Sequence, residues 1–500
     1  MKPILAGNSE PVAGNGAPSV PWALASLSLS ILLSSLGTSI ANVALPTLAH
    51  AFEASFQQVQ WIVLAYLLAI TTLIVSVGRL GDIIGRRRLL LAGLLLFTVA
   101  SVLCGLAPTL WLLIAARAVQ GLGAAVMMAL GTALVGETVP KARTGRAMGL
   151  LGTMSAIGTA AGPTIGGVLI SGFGWPAIFL VNVPLGILAL LLANRHLSVD
   201  RQGRKAGRAG FDTLGTVLLG SSLAAYALAM TIGRGSFGSL NMTLLLTAGL
   251  AVGLFALVEA KTASPLIRLE MFRNPVLSAG LAMSVLVLTV AMATLVVGPF
   301  YLSRALGLDA AAVGLVMSTG PIMSALSGVP AGRIVERLGA SFISLVGLVA
   351  MAAGSFALAV LPEMLGVAGY VAALIILAPG YQLFQAANNT AVMMDMHAEQ
   401  RGVVSGMLNL SRNLGAITGA SVMGAIFALA TGTTDIATAD PTAVETGMRI
   451  TFTVAAILIV VALAIAVGGR ALAPRRSRDL TARPRKPSAI IGVRSSGVTD

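Results

Sequence analysis

Gly78-Arg79-Leu80-Gly81-Asp82-Ile83-Ile84-Gly85 returns 254 residues later as Gly332-Arg333-Ile334-Val335-Glu336-Arg337-Leu338-Gly339. A glycine, an arginine, an aliphatic residue, an acid and a closing glycine keep their places. A second series follows in the same order: Gly145, Gly149, Gly158, Gly162 and Gly167 reappear as Gly402, Gly406, Gly415, Gly419 and Gly424, at an offset of 257. Two blocks repeated in register mean that the chain is built from two similar units. Parallel repeats of this kind, with a binding site near the bilayer midplane where the units meet, suit a secondary transporter.

Both copies of the acidic motif close long apolar runs. Such runs fall at about 22–48, 59–77, 89–106, 110–135, 147–170, 177–193, 212–232, 242–259, 276–300, 311–331, 341–361, 366–391, 403–430 and 449–468. Crossing about 30 Å of hydrocarbon takes about 20 apolar residues, so fourteen spans are predicted. They are helices, because a lipid-exposed strand edge has nothing to bond to and no ten-residue alternation appears. Composition agrees: 56% of residues are hydrophobic and only 10% charged, with a mean hydropathy of +0.92. An ordinary globular domain carries about 25% charged residues.

The reading is an all-α polytopic membrane protein with two pseudo-symmetric six-helix bundles, 22–195 and 275–468. A linker, 196–274, carries two inserted helices, and polar tails occupy 1–21 and 469–500. The first apolar run is too long for a signal-peptide core, so the first helix is expected to stay. The basic tail, rich in Arg, Pro and Ser, is expected to be disordered and drawn to anionic lipid.

Net charge is +14, which would suit nucleic acid if the basic residues formed a face. They do not. Connections on the side of the termini hold 27 Lys and Arg, those on the other side hold three, and Arg117 and Arg412 fall within spans. The positive-inside rule then puts both termini in the cytoplasm, and no nucleic-acid partner is needed. With 27 Arg against five Lys and abundant Ala and Gly, the composition points to a bacterial source and its plasma membrane. His50, His196 and His397 are scattered at span ends and Cys104 is single, so neither a metal site nor an intrachain disulfide is expected. No Gly-Lys-Ser/Thr phosphate loop or His-Glu-x-x-His cluster is present, so ATP hydrolysis, a cofactor and enzymatic chemistry are not expected.

Gly78-x-Leu80-x-Asp82-x-x-Gly85-Arg86-Arg87 resembles the loop 2–3 signature of the major facilitator superfamily. Arg117-x-x-Gln120-Gly121-x-Gly123-Ala124-Ala125 is similar to its helix 4 signature. Gly158-x-x-x-Gly162-Pro163-x-x-Gly166-Gly167 is similar to the helix 5 signature of its antiporters. Fourteen spans, with Asn42-Val43-Ala44-Leu45-Pro46 in helix 1 and Asn182-Val183-Pro184 in helix 6, narrow the resemblance to the drug:proton antiporter branch.

The resemblance implies a proton-coupled exporter of small organic molecules, working by alternating access, with protons and membrane lipid as its other partners. It gives Arg117, with Gln120, a part in proton coupling or substrate binding. The alternative is a structural arginine satisfied by carbonyls and Gln120. It gives Gly78, Asp82, Gly85, Arg86 and Arg87, with the repeated Gly332, Glu336 and Gly339, a part in conformational gating. In the outward-facing state Asp82 is expected near 401–406 and Glu336 near 143–149, each at a helix N-terminus of the opposite half. Pro163 should bend helix 5, and the glycines around it should thin one face into a seal between the halves.

Relatives that expel lipophilic cations often carry an acid where this chain has Gly37, and no acid falls at mid-span here. Two embedded arginines without an embedded acid suit a neutral or anionic organic substrate, held partly by Asn42, Gln385 and Asn389. An importer or facilitator, or a membrane sensor that keeps the fold and moves nothing, are the alternative functions.

Overall fold

The computed structural model describes residues 20–139, 144–197, 213–232, 238–262, 269–394, 401–432 and 439–472. Fourteen helices are long and apolar enough to cross a bilayer, and no strand occurs among the described residues. They are α1 (Val20–Val43), α2 (Phe56–Ile84), α3 (Arg86–Gly105), α4 (Leu110–Thr138), α5 (Thr144–Phe173), α6 (Ala177–His196) and α7 (Thr213–Thr231). There follow α8 (Ser239–Lys261), α9 (Pro275–Ala305), α10 (Ala310–Leu338), α11 (Ala340–Leu365), α12 (Val367–Met394), α13 and α14 (Pro441–Leu472). Helix α13 runs Arg401–Thr418, passes through a π turn at Gly419–Met423, and ends as Gly424–Thr431. The polar and basic tail expected at 469–500 lies outside the described residues from 473 onward.

The pairings within α1–α6 are repeated within α9–α14. Helix α1 packs on α5 and α6 as α9 packs on α13 and α14, and α2 and α3 pack on α4 as α10 and α11 pack on α12. The side on which α1 begins and α14 ends is called here the terminal face, and the opposite side the distal face.

Two boundaries differ from the sequence reading. The first span stops at Val43, and Leu45–Ala51 forms a separate short helix with Pro46 in its first turn, where a missing N–H costs nothing. The stretch read as a loop from Gly78 is helical through Ile84, and the connection to α3 is the single residue Gly85, at φ 105°. Gly339 alone joins α10 to α11 in the same way, at φ 85°. Glycine enters this region freely, whereas a side chain there costs about 1–2 kcal/mol. The closing glycine of each acidic motif is therefore the chain reversal itself.

The two inserted helices do not share the repeat. Helix α7 lies along α2, where Trp61 Nε1 donates to Thr231 Oγ1 (3.0 Å) and the hydroxyls of Ser76 and Thr216 are 2.8 Å apart. It also reaches the other half, as Tyr226 donates from its hydroxyl to Thr418 Oγ1 on α13 (3.2 Å). Helix α8 packs on α7 and turns Leu246, Leu250 and Leu257 outward, the surface that hydrocarbon would cover.

Candidate functional site

The halves meet along two seams, α5 against α10 and α13 against α2. On the distal side both seams are tight. A Cβ on Gly167 would lie 2.5 Å from the Ala310 carbonyl oxygen and 3.1 Å from Gly314 Cα, and one on Gly314 would collide with the Pro163 carbonyl. In the other seam a Cβ on Gly424 would collide with the Gln60 amide, whose Nε2 donates to the Ala420 carbonyl (3.0 Å).

These are the same positions twice. Gly424 follows Gly167 by 257 residues and Ala420 follows Pro163 by the same offset, while Gly314 follows Gln60 by 254. In each seam a carbonyl four residues before the glycine faces the opposite half. The Thr164 and Ser318 hydroxyls bond across the first seam. Edge-to-face contacts of Phe56 with Phe300 (4.7 Å between ring centroids) and Phe427 (5.6 Å) seal the distal end between the halves.

On the terminal side the glycines of the same four helices make no such close approach. Cβ atoms added at Gly78 on α2, Gly152 on α5, Gly328 and Gly332 on α10, or Gly406 on α13 would meet nothing within 4 Å. Glu336 is exposed. The Asp82 side chain, residues 140–143 and most side chains at 144–149 and 401–405 lie outside the described residues, and with them the acid contacts expected at 401–406 and 143–149. Arg87 donates from Nη2 to the carbonyl (2.6 Å) and side-chain oxygen (3.0 Å) of Asn194 on α6, a link within its own half. Arg86 is half-buried beside it at the start of α3.

The glycines around Pro163 do not share one face, as the sequence reading had them. Gly158, Gly162 and Gly166 press on α1 at Leu32, Ser39 and Ile40, and only Gly167 faces α10 across the seam. Ser39 Oγ donates to the Gly158 carbonyl (3.2 Å), and its counterpart in the second half is Thr289 Oγ1 to the Gly415 carbonyl (3.2 Å). Such interhelical bonds contribute about 0.6 kcal/mol each in membrane proteins. The glycines around Pro163 thus seat α5 on its own half and turn only Gly167 to the other.

Arg117 is wholly enclosed. Its Nε donates to the Ile62 carbonyl (3.0 Å), Nη2 to the Gly37 carbonyl (3.0 Å) and Nη1 to Gln120 Oε1 (2.5 Å). Gln120 Nε2 in turn donates to Ser101 Oγ (2.7 Å), and the guanidinium stacks 4.1 Å from the centre of the Tyr66 ring. One side chain from α4 therefore ties together α1, α2 and α3's neighbour Gln120. In this conformation Arg117 has no exposed surface, so the contact with substrate expected there would need a rearrangement of the residues around it. Gly37, the position lacking the acid, supplies its carbonyl to this clamp, and a Cβ there would lie 3.0 Å from the Tyr66 hydroxyl.

Arg412, Gln385 and Asn389 do come together. Arg412 donates from Nη2 to Asn389 Oδ1 (2.6 Å). With its amide oxygen turned to the guanidinium, Gln385 accepts from Nε (2.8 Å) and Nη2 (2.9 Å). All three residues keep part of their surface uncovered. Asn42 is not part of this cluster: it is buried and donates to the carbonyls of Thr38 (2.9 Å) and Ser39 (3.4 Å) on its own helix. The sequence reading missed Gln60, the third of three glutamines (Gln57, Gln58, Gln60) at the start of a span, whose partner is 360 residues away. The signal that could have found the second seam was Gly424, already paired with Gly167 by the repeat.

The description Major Facilitator Superfamily matches residues 27–420. The chain is 34% identical over 405 residues to the uncharacterized transporter YebQ of Escherichia coli strain K12, covering 80% of this chain and 88% of that one. It is 32% identical to the riboflavin transporter RibZ of Clostridioides difficile strain 630, over 80% of this chain and 86% of that one. Among solved structures, a bacterial homologue of the human lysosomal transporter Spinster superposes with a TM-score of 0.63 at 15% identity, covering 90% of this chain and 97% of that one. Two repeated six-helix bundles, paired across two pseudo-equivalent seams and matched by this description along most of the chain, belong to the Major Facilitator Superfamily of membrane transporters.

Proposed function

We propose that this protein exports small organic molecules from the cytoplasm in exchange for protons, by alternating access. The observation that carries the reading is the pair of pseudo-equivalent seams, fitted closely at the distal face, whose glycines toward the terminal face meet no such neighbour; we read that face as the open one. Residues 22–195 and 275–468 act as the two rocking units, and 196–274 joins them. The positive-inside bias of the sequence puts the terminal face in the cytoplasm of a bacterial plasma membrane, so the open side is the loading side. A relative named for tetracenomycin C resistance and export in Streptomyces glaucescens, 29% identical over 82% of this chain and 77% of its own, supports export of organic compounds. Alternating access needs two states of similar free energy, and the matching positions of the two seams suit rocking of the halves about the midplane.

Purified protein in sealed vesicles, with an imposed pH gradient and fluorescent organic dyes, tests this reading. Dye should move against the proton flux, into the more acidic compartment, and collapse of the gradient by a protonophore should stop it. Dye movement at the same rate without a gradient would favour a facilitator instead.

A further inference from the structure

Resting on the transport reading, we infer that Arg412 anchors the acceptor end of an organic anion, so that the ligand is held by the second half and not by the enclosed arginine clamp of the first. The two embedded arginines differ in what is left for a ligand. Arg117 has each of its nitrogens occupied and no exposed surface. Arg412 spends Nε and Nη2 on the neutral oxygens of Gln385 and Asn389, leaving Nη1 without an acceptor among the described residues. No carboxylate pairs with it among the described residues.

The amides fix the plane of the guanidinium without cancelling its charge. Tyr381, Gln385 and Asn389 recur every four residues along α12, so they form one stripe on that helix. The Tyr381 hydroxyl sits 3.4 Å from the Gln385 amide, which places an aromatic ring at the same site. Asn388 is turned the other way, donating to the Gly280 carbonyl (3.1 Å) and Ser284 Oγ (2.9 Å) on α9, and so locks the rotation of the stripe. Along α13 the arginine lies eight residues before Ala420, where the distal seam is closed, and six after Gly406, where the terminal side is open. A planar guanidinium edge beside a phenol, in a span with no opposing acid, recognises a flat aromatic compound bearing a carboxylate or comparable anionic oxygens.

Two xanthene dyes of opposite charge test it: fluorescein, anionic at pH 8, and rhodamine 123, a cation. Equilibrium binding to the purified protein in detergent needs no proton gradient, so this test can fail or succeed independently of coupled export. Wild type should bind fluorescein more tightly than rhodamine 123. Arg412→Gln should weaken fluorescein by about ten- to a hundredfold, the range for loss of a charge-assisted bond. Asn389→Asp keeps the arginine and its packing but neutralises it in place, and should produce a loss of the same order while leaving the fold intact. Arg412→Lys, which keeps the charge without the fork, should fall between. Fluorescein bound equally by wild type and by both neutralised variants would overturn the inference, as would tighter binding of rhodamine 123 by wild type.

Discussion

Gly424→Leu is expected to reach the membrane in near-normal amounts and yet lose transport almost completely. The isobutyl group would enter the space of the Gln60 amide and break its bond to the Ala420 carbonyl, but only where the distal seam is closed. Overpacking a fitted contact costs about 1–3 kcal/mol, and about 3 kcal/mol placed on one state alone shifts its population about a hundredfold. The protein should therefore rest with the distal side open. A cysteine at Ala420, buried here, should react with a membrane-impermeant maleimide in the Gly424→Leu background and be protected without it. Gly167→Leu should act alike, since it meets Ala310 and Gly314 at the matching place in the other seam. Protection of the Ala420 cysteine in both variants would mean that the seams are not state-specific.

Arg117→Ala is expected to lower stability first and transport only as a consequence. Removing the guanidinium takes a second donor from the helical carbonyls of Gly37 and Ile62, leaves the Gln120 oxygen only the distant Cys104 thiol (4.0 Å), and empties the space against Tyr66. A hydrogen bond to a charged group contributes about 1.5–3 kcal/mol, so losing three of them should cost about 3 kcal/mol or more. Arg117→Lys should restore only part of it, because one ammonium cannot span three helices as a planar fork does. Thermal unfolding of the detergent-solubilised protein, followed by intrinsic fluorescence, measures this directly. An unchanged midpoint with abolished proton-coupled export would return Arg117 to a role in coupling.

The architecture was legible because its signals are long. Fourteen apolar runs and a two-block repeat are each spread over tens of residues, and the repeat puts Gly78 and Gly332 at matching ends of helices. What escaped the reading was decided by rotation about helix axes. Gly166 and Gly167 are neighbours in sequence, yet one faces α1 and the other crosses to the opposite half. The π turn at Gly419–Met423 has no local composition that marks it, and it occupies the place where the first half has Pro163. Arg117 and Arg412 looked alike as charges within spans. Their difference comes from acceptors supplied by other helices, Gly37 and Ile62 in one case and Gln385 and Asn389 in the other, and sequence spacing carries no record of those encounters.

The central claim is that the two faces open and close in opposition. Spin labels at Gly152 and Gly328 span the terminal ends of α5 and α10, and labels at Gly172 and Leu315 span their distal ends. Distances within each pair should be measured by pulsed electron resonance on protein in lipid, over a range of pH. Two populations are predicted, one with the terminal pair far apart and the distal pair close, as here, and one with the order reversed. As one grows the other should shrink by the same fraction. Terminal and distal distances that lengthen together, or a terminal pair that never closes while transport proceeds, would contradict alternating access about these seams.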